Sequence, residues 1–516
     1  MKRTTLLVLA FTLLAFFLRA YHLDFQSLWR DEVDAIRFAR SPWPELIATF
    51  TGPGWNGPLY FFVLRYWLAL AGSSEFSLRY FSLFFGVLTV PLSYILGRRW
   101  LGQRSPGDVP PTSPDLSPQH RPSAFVGVWT ALLMAVSPYL VWYSQEGKMY
   151  ALVLALGILS MYLYRRALDE GRWWWWAGHV LVTSLGLYTH ILMALLIPTQ
   201  ALLFILGWPR YRAHWRGWLV DMLCLTLPYL PLATWQMPLL LSGFQTGHPF
   251  YPLGDMVSIL FSAYAQGILS PLYPLSHVVM AFLCLAGILA LVKVENDLSR
   301  AMGNQGPPPS THQEQAQADN RRRLEELLVY LTVPVLAVYL VSLRMPVFTD
   351  RYLIWVAPAF YLLAARGLAA IRARSGLVFA LVLALALTGN LVTWWTQVHT
   401  PIKSDFRAAA RYFAAHRQGD ELVIFQIPYV RYTFEYYFHD EYRWAEGLYT
   451  NYGMSEEEVD RLMQAMVAGY EEVWLVASEM EMWDQRGLVK RWLDTHGQVM
   501  DRADFTRVTL VHYKIR

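Results

Sequence analysis

The chain has 516 residues, 55% hydrophobic and 16% charged, with a net charge of +4 and a mean hydropathy of +0.27. Soluble domains carry nearer to about a quarter charged residues, so the composition points to a membrane protein, and the small net charge gives no support for a nucleic-acid partner. Only two cysteines are present, Cys224 and Cys284, both in apolar segments, which excludes a disulfide framework and a cysteine metal site.

In chain order, Met1-Lys2-Arg3 leads into an apolar run at 4–20. The residues after it offer no small-residue cleavage site, so the run reads as a retained anchor. Further spans are predicted at 76–96, 124–141, 150–164, 173–189, 191–207, 218–235, 277–292, 327–343, 352–370 and 377–395. Each approaches the roughly 20 residues that a bilayer requires. That makes about eleven transmembrane helices. Basic loops at Arg98-Arg99, Arg165-Arg166, 210–216, 321–323 and 372–374 assign those loops and the N-terminus to the cytoplasm. The tail is then extracytoplasmic.

The apolar segment 58–70 is short and carries Arg65 mid-run, so it is expected to lie along the outer interface as an amphipathic helix. Segments 103–123 and 295–320, rich in Pro, Ser, Gln, Asn and Gly, read as flexible cytoplasmic linkers. The stretch 237–275 reads as an outer loop, a lid over a bound substrate. After residue 396 the composition becomes that of a soluble domain. Helices at 405–416, 455–468 and 485–495 alternate there with strands at 421–427, 472–477 and 508–513, the pattern of a small α/β domain. The expected organisation is a membrane domain at 1–396 and this domain at 397–516. No repeat and no glycine-rich phosphate loop is present.

Candidate chemistry collects on one face of this topology. Asp31 and Glu32 follow the first span; a carboxylate at a membrane surface suits a general base, and a salt-bridged helix cap with Arg30 or Arg37 is the bland alternative. Between spans three and four, Glu146 and Tyr150 stand one helical turn apart, and Lys148 suits a phosphate as a point charge. An ordinary interfacial cluster, with Lys148 snorkelling, is the alternative there. Arg344 and Arg351 bracket the entry to span ten, where a planar guanidinium can bind a lipid phosphate bidentately. His190, at a turn between spans, and His248, in the loop after span seven, face the same side. Glu32, Glu146, His190 and His248 also carry ligand atoms for a divalent cation, whose presence their spacing leaves open. Few buried charges are expected within the spans, which favours an enzyme over a transporter.

These residues carry a resemblance. Asp31-Glu32, Gly57-Pro58-Leu59-Tyr60, Glu75 with Arg79, Ser144-Gln145-Glu146 with Met149-Tyr150, Thr189-His190, and Arg351-Tyr352-Leu353 with Pro358 occur in an order and sidedness similar to one group. The chain resembles the bacterial glycosyltransferases of the protein O-mannosyltransferase superfamily, which includes the lipid A aminoarabinose transferases. The tail, from Asp405-Phe406-Arg407, resembles that group's extracytoplasmic domain. One departure is Lys148, where many relatives have arginine.

The resemblance implies a glycosyltransferase C fold, a polyprenyl-phosphate-linked sugar as donor, and inversion by direct displacement. Asp31 is then the catalytic base, with Glu32 beside it and Glu146 as an approximate match to the second acidic motif. Arg351 and Lys148 are the expected cations for the leaving phosphate, with Tyr150 and Arg344 as further donor contacts and His190 and His248 as donor or metal contacts. The acceptor is a lipid, a polysaccharide or a protein. The competing reading is a lipid-linked-sugar flippase or transporter in the same membrane.

Overall fold

The computed structural model describes residues 3–51, 55–101, 125–242, 246–292 and 311–516. The chain divides into two compact units. Met1–Tyr21, Pro42–Trp67 and Arg79–Gln397 form the first, and His22–Ser41, Leu68–Leu78 and Val398–Arg516 the second.

The first unit is helical. Among the described residues, seven helices are long and apolar enough to cross a membrane: Arg3–Ala20, Glu75–Trp100, Tyr150–Glu170, Tyr273–Val292, Ala318–Ser342, Asp350–Arg374 and Gly376–His399. Two bent pairs, Val126–Val136 with Pro138–Ser144 (59°) and Ile191–Leu206 with Trp208–Tyr229 (84°), raise the number to nine if each is one span. The expected eleven is reduced for two reasons. The helix Trp173–Leu187 has 15 residues, about 22 Å of helix against a hydrocarbon core of about 30 Å. The spans expected at 191–207 and 218–235 fall largely within one bent pair. Prolines start the second arm of each bend, Pro138 and Pro209, where the missing N–H does least harm.

Other expectations change with the packing. The stretch 237–275 is not an open loop: it holds the helix Leu253–Gln266, which buries Met256, Leu260, Ala263, Tyr264 and Ala265. Tyr264 donates to the Leu353 carbonyl (2.8 Å) and accepts at its own carbonyl from Tyr361 (2.9 Å), so this helix belongs to the packed body. The linker expected at 103–123 and the first part of that at 295–320 lie outside the described residues. From Thr311 the chain is already in the helix Thr311–Ser342. The segment after the first span does contain short helices, among them Arg30–Arg40, Trp43–Thr51 and Leu59–Ala71. The last has 13 residues, too few to span.

The helices Tyr273–Val292 and Ala357–Arg374 cross at close range. A Cβ on Gly287 would meet the Leu363 carbonyl at 2.1 Å, and one on Gly367 the Leu283 carbonyl at 2.1 Å. Glycine at both positions lets two backbones touch where lipid supplies no hydrophobic drive. Charges are also buried in this body, against expectation. Arg165 pairs with Glu326 (2.7 Å) and His179 with Asp221 (2.9 Å).

The second unit holds a five-stranded mixed sheet of β1 (Leu422–Phe425), β2 (Arg443–Glu446), β3 (Glu472–Ala477), β4 (Gly497–Phe505) and β5 (Val508–Ile515), in the order β2-β1-β3-β5-β4. β1 is parallel to β2 and β3; β5 is antiparallel to β3 and β4. Strand alternation sends Val423, Phe425, Trp474 and Val476 to one core with Phe406 and Phe413. It sends Leu422, Ile424, Val473 and Leu475 to another with Met463 and Val489. Both faces are covered, which explains why β1 and most of β3 read as unbroken apolar runs.

Candidate active site

The residues singled out in the sequence, Arg344 apart, fall into two clusters, one in each unit. In the second unit, the helix Arg30–Arg40 opens with Asp31 and Glu32 in its first turn, where the helix dipole favours carboxylates. The two differ sharply in surroundings. Asp31 keeps 21% of its side chain exposed and accepts from Arg30 Nε at 3.3 Å. Glu32 is fully buried, with its Oε2 3.0 Å from Lys403 Nζ. Arg30 extends over the Tyr429 ring at 4.9 Å and reaches Glu479 at 4.0 Å. Arg37 pairs with Asp34 (2.9 Å) and covers the Tyr432 ring.

The chain entering the tail is tied to this loop. Gln26 donates to the Thr400 carbonyl (2.7 Å) and accepts from the N–H groups of Ile402 (3.0 Å) and Lys403 (3.2 Å). Arg407 binds the Glu75 carboxylate through Nε and an amino nitrogen, and Tyr437 donates to the same carboxylate. Lys403, Glu75 and Arg407 thus hold the acidic loop in place.

In the first unit, a tight turn carries Glu146 and Lys148 between the helices Pro138–Ser144 and Tyr150–Glu170, closed by a Lys148 N–H bond to the Glu146 carbonyl (2.7 Å). Gln145 anchors the turn by donating to the carbonyls of Arg19 and Tyr21, both at 2.9 Å. Arg19 itself is fully buried. Its guanidinium donates to Met134 O (3.1 Å), Ala135 O (2.9 Å) and Ser144 Oγ (3.1 Å). Met134 and Ala135 lie in the last turn of the helix Val126–Val136, which ends at the extended Ser137, so their carbonyls have no helical N–H to accept from. Arg19 therefore caps the bend that aims Glu146.

Arg351 opens the span Asp350–Arg374, with its guanidinium 5.8 Å from the Tyr150 ring centre and 5.9 Å from that of Tyr352. Glu146, buried at 2% exposure, is among its electrostatic neighbours. The Asp350 carboxylate accepts from Tyr143 (2.9 Å) and Thr349 (3.3 Å). Tyr352 packs against His190 (4.9 Å) and His248 (5.8 Å), which brings both histidines to this cluster. Arg344 does not join it and is exposed.

His190 is placed by the neighbouring loop, where Leu59 N–H donates to Tyr188 O (2.9 Å) and Ile191 N–H to Asn56 Oδ1 (3.3 Å). Its Nδ1 accepts from Leu192 N–H (3.2 Å), which puts the proton of the neutral ring on Nε2. That Nε2 is buried with no hydrogen-bond partner among the described residues. Burial first, then the charges of Arg351 and Lys148, push the imidazole down to about 3. The cluster is rich in donors: two cations, a neutral imidazole N–H and tyrosine hydroxyls surround one buried carboxylate. Such an arrangement suits an anion.

Arg19 and Lys403 were not foreseen. An arginine inside an otherwise apolar span was the available signal for Arg19; Lys403 gave none.

Helical membrane body and mixed-sheet unit together define the class: a polytopic membrane protein of the glycosyltransferase C fold. The chain is similar to the crystal structure of ArnT from Cupriavidus metallidurans in the apo state, with a TM-score of 0.57 and 13% identity over 99% of this chain and 98% of that one. ArnT bound to undecaprenyl phosphate gives a TM-score of 0.56 at 13% identity with the same coverage. The archaeal oligosaccharyltransferase AglB from Archaeoglobus fulgidus, in complex with an inhibitory peptide and a dolichol-phosphate, gives 0.50 at 12% identity, over 98% of this chain and 74% of that one. No protein-family model and no curated protein sequence matches the chain.

Proposed function

We propose that the chain is a membrane glycosyltransferase that moves a sugar from a polyprenyl-phosphate-linked donor to an acceptor hydroxyl, with inversion, at the outer face of the cytoplasmic membrane. Its N-terminus is cytoplasmic and its tail extracytoplasmic. The observation that carries this reading is the end-to-end likeness in fold to an ArnT structure holding undecaprenyl phosphate. The donor-rich cluster around Arg351 supports the same class of ligand, because a lipid phosphate needs charge-assisted donors beside the hydrocarbon.

In the reaction, the acceptor oxygen attacks the anomeric carbon opposite the phosphate. The bond from that carbon to the phosphate oxygen breaks, its electron pair leaves on the polyprenyl phosphate, and the acceptor proton passes to Asp31. Asp31 suits the base because its carboxylate is partly exposed, whereas Glu32 is engaged by Lys403 and acts by holding the loop. Arg351 and Lys148 meet the charge that develops on the leaving phosphate.

The test is transfer and donor hydrolysis by the purified protein in lipid, offered radiolabelled polyprenyl-phosphate sugars. Label should leave the carrier with intact Asp31 and stay on it with Asp31→Asn, which is nearly isosteric. Turnover by Asp31→Asn at the wild-type rate would remove the base assignment. The buried pairs Arg165–Glu326 and His179–Asp221 favour a second reading, a lipid-linked-sugar flippase, since transporters keep ionisable pairs inside the bundle. Carrier-bound label that crosses the bilayer without release from lipid would select it.

A further inference from the structure

Three ligand-bearing side chains converge at one end of the second unit's sheet. Glu421 precedes β1, Glu472 opens β3 and His512 lies in β5. Parallel pairing of Leu422 with Val473 sets Glu421 beside Glu472. Antiparallel pairing of Trp474 with His512 sets the imidazole diagonally across from Glu472 on the same face. One ligand atom from each residue lies within 4.8 Å of the others. His512 Nε2 is 3.0 Å from Glu472 Oε2 and 3.6 Å from Glu421 Oε1.

The site is built rather than incidental. Glu421 and His512 are buried, at 7% and 6% exposure. Both Glu421 oxygens accept from the Gln418 N–H at 3.1 Å, which fixes the carboxylate. The His512 ring lies flat on Trp474, 4.3 Å between centres and 6° from parallel. Its Nε2 makes no hydrogen bond, although two carboxylate oxygens stand beside it. A ring nitrogen aimed between two carboxylates is poor hydrogen-bond geometry and good ligand geometry. Ligands about 2.0–2.2 Å from one tetrahedral ion stand roughly 3.3–3.5 Å apart, and the two nitrogen–oxygen distances bracket that separation.

We propose that Glu421, Glu472 and His512 bind a divalent cation of the zinc type, which clips the parallel and antiparallel parts of the sheet together. The imidazole selects against calcium and magnesium, which prefer all-oxygen shells. Three protein ligands leave a fourth position, on the side where Glu472 is partly exposed. The proposal stands independently of sugar transfer.

The full-length protein, tag removed and stripped of metal, would be reconstituted in lipid and titrated with Zn2+, Ca2+ and Co2+. One Zn2+ per chain by elemental analysis, a visible tetrahedral Co2+ spectrum and no Ca2+ retention are expected. Glu472→Gln, a nearly isosteric change at a half-buried position, should weaken Zn2+ binding by about 10–100-fold, and His512→Gln should abolish the Co2+ spectrum. Absence of stoichiometric Zn2+ in the wild type, or Zn2+ affinity unchanged in Glu472→Gln, would overturn the site and leave His512 as a packed neighbour of two carboxylates.

Discussion

Glu32 Oε2 lies 3.0 Å from Lys403 Nζ, with the glutamate fully buried and the lysine 7% exposed at the side chain. The pair joins the acidic loop after the first span to the segment that enters the tail, both within the second unit. It divides the labour of two adjacent carboxylates: the ion pair fixes Glu32, and Asp31, one residue earlier, remains at the surface. Charge type alone does not separate them, but burial does.

Lys403→Met removes one side of the buried Glu32–Lys403 ion pair. Breaking one side of a buried pair destabilises by about 3–5 kcal/mol, whereas replacing both partners by neutral groups is often near neutral. The double variant Glu32→Gln with Lys403→Met should therefore melt close to wild type, well above Lys403→Met alone. A thermal-melt double-mutant cycle in lipid checks this, and simple additivity of the two changes would show that the pair carries no coupling.

Arg19 invites a rescue experiment of a different kind. Arg19→Met removes the donors to Met134 O, Ala135 O and Ser144 Oγ, and each buried carbonyl left unsatisfied costs about 1–3 kcal/mol. Arg19→Lys keeps the charge and part of the donor set at the same place. It should recover part of the melting temperature lost in Arg19→Met. If Arg19→Lys melts as low as Arg19→Met, hydrogen bonding to these acceptors is not what Arg19 contributes.

The sequence makes much of this fold legible, because apolar length marks spans and unbroken apolar runs mark β1 and β3. The strands that escape notice, β2 and β4, are the two edges of the sheet, and their residues are mostly exposed, with Arg443 and Glu446 on one and Asp501, Arg502 and Asp504 on the other. Edge strands carry charge to discourage pairing with other chains, which erases the apolar signal. Among the candidate residues, Asp31, Glu146, Lys148 and Arg351 stand out as charges beside apolar runs. Lys403 does not, since its partner is 371 residues away and no local pattern marks it. Nor can spacing bring His190, His248 and Tyr352 to one place; only packing does.

His190 gives a prediction with a definite sign. Its folded pKa, about 3, lies below the ordinary 6.5, so the unfolded chain binds the proton more readily. Its contribution to stability is intact above about pH 6.5 and falls as pH drops, by about 2 kcal/mol at pH 5. His190→Gln should flatten the fall in melting temperature between pH 7.5 and 5. A histidine proton titrating near pH 6.5 by NMR in the folded protein, absent from His190→Gln, would contradict the neutral assignment.

Arg351 separates charge from geometry. If it grips a lipid phosphate with its planar fork, Arg351→Lys keeps the charge yet loses the paired donors, and Arg351→Gln loses both. A charge-assisted hydrogen bond contributes about 1.5–3 kcal/mol, or roughly 10–150-fold in affinity. Undecaprenyl phosphate binding should therefore weaken in the order wild type, Lys, Gln, with the Gln variant at least about tenfold weaker than wild type. Binding of the uncharged polyprenol should be unchanged across the three, because it carries no phosphate for Arg351 to grip. Equal loss for the phosphate and the alcohol would assign Arg351 to holding the span entry beside Tyr150 and Tyr352 rather than to the ligand. Equal affinity across all three proteins would remove it from donor binding altogether.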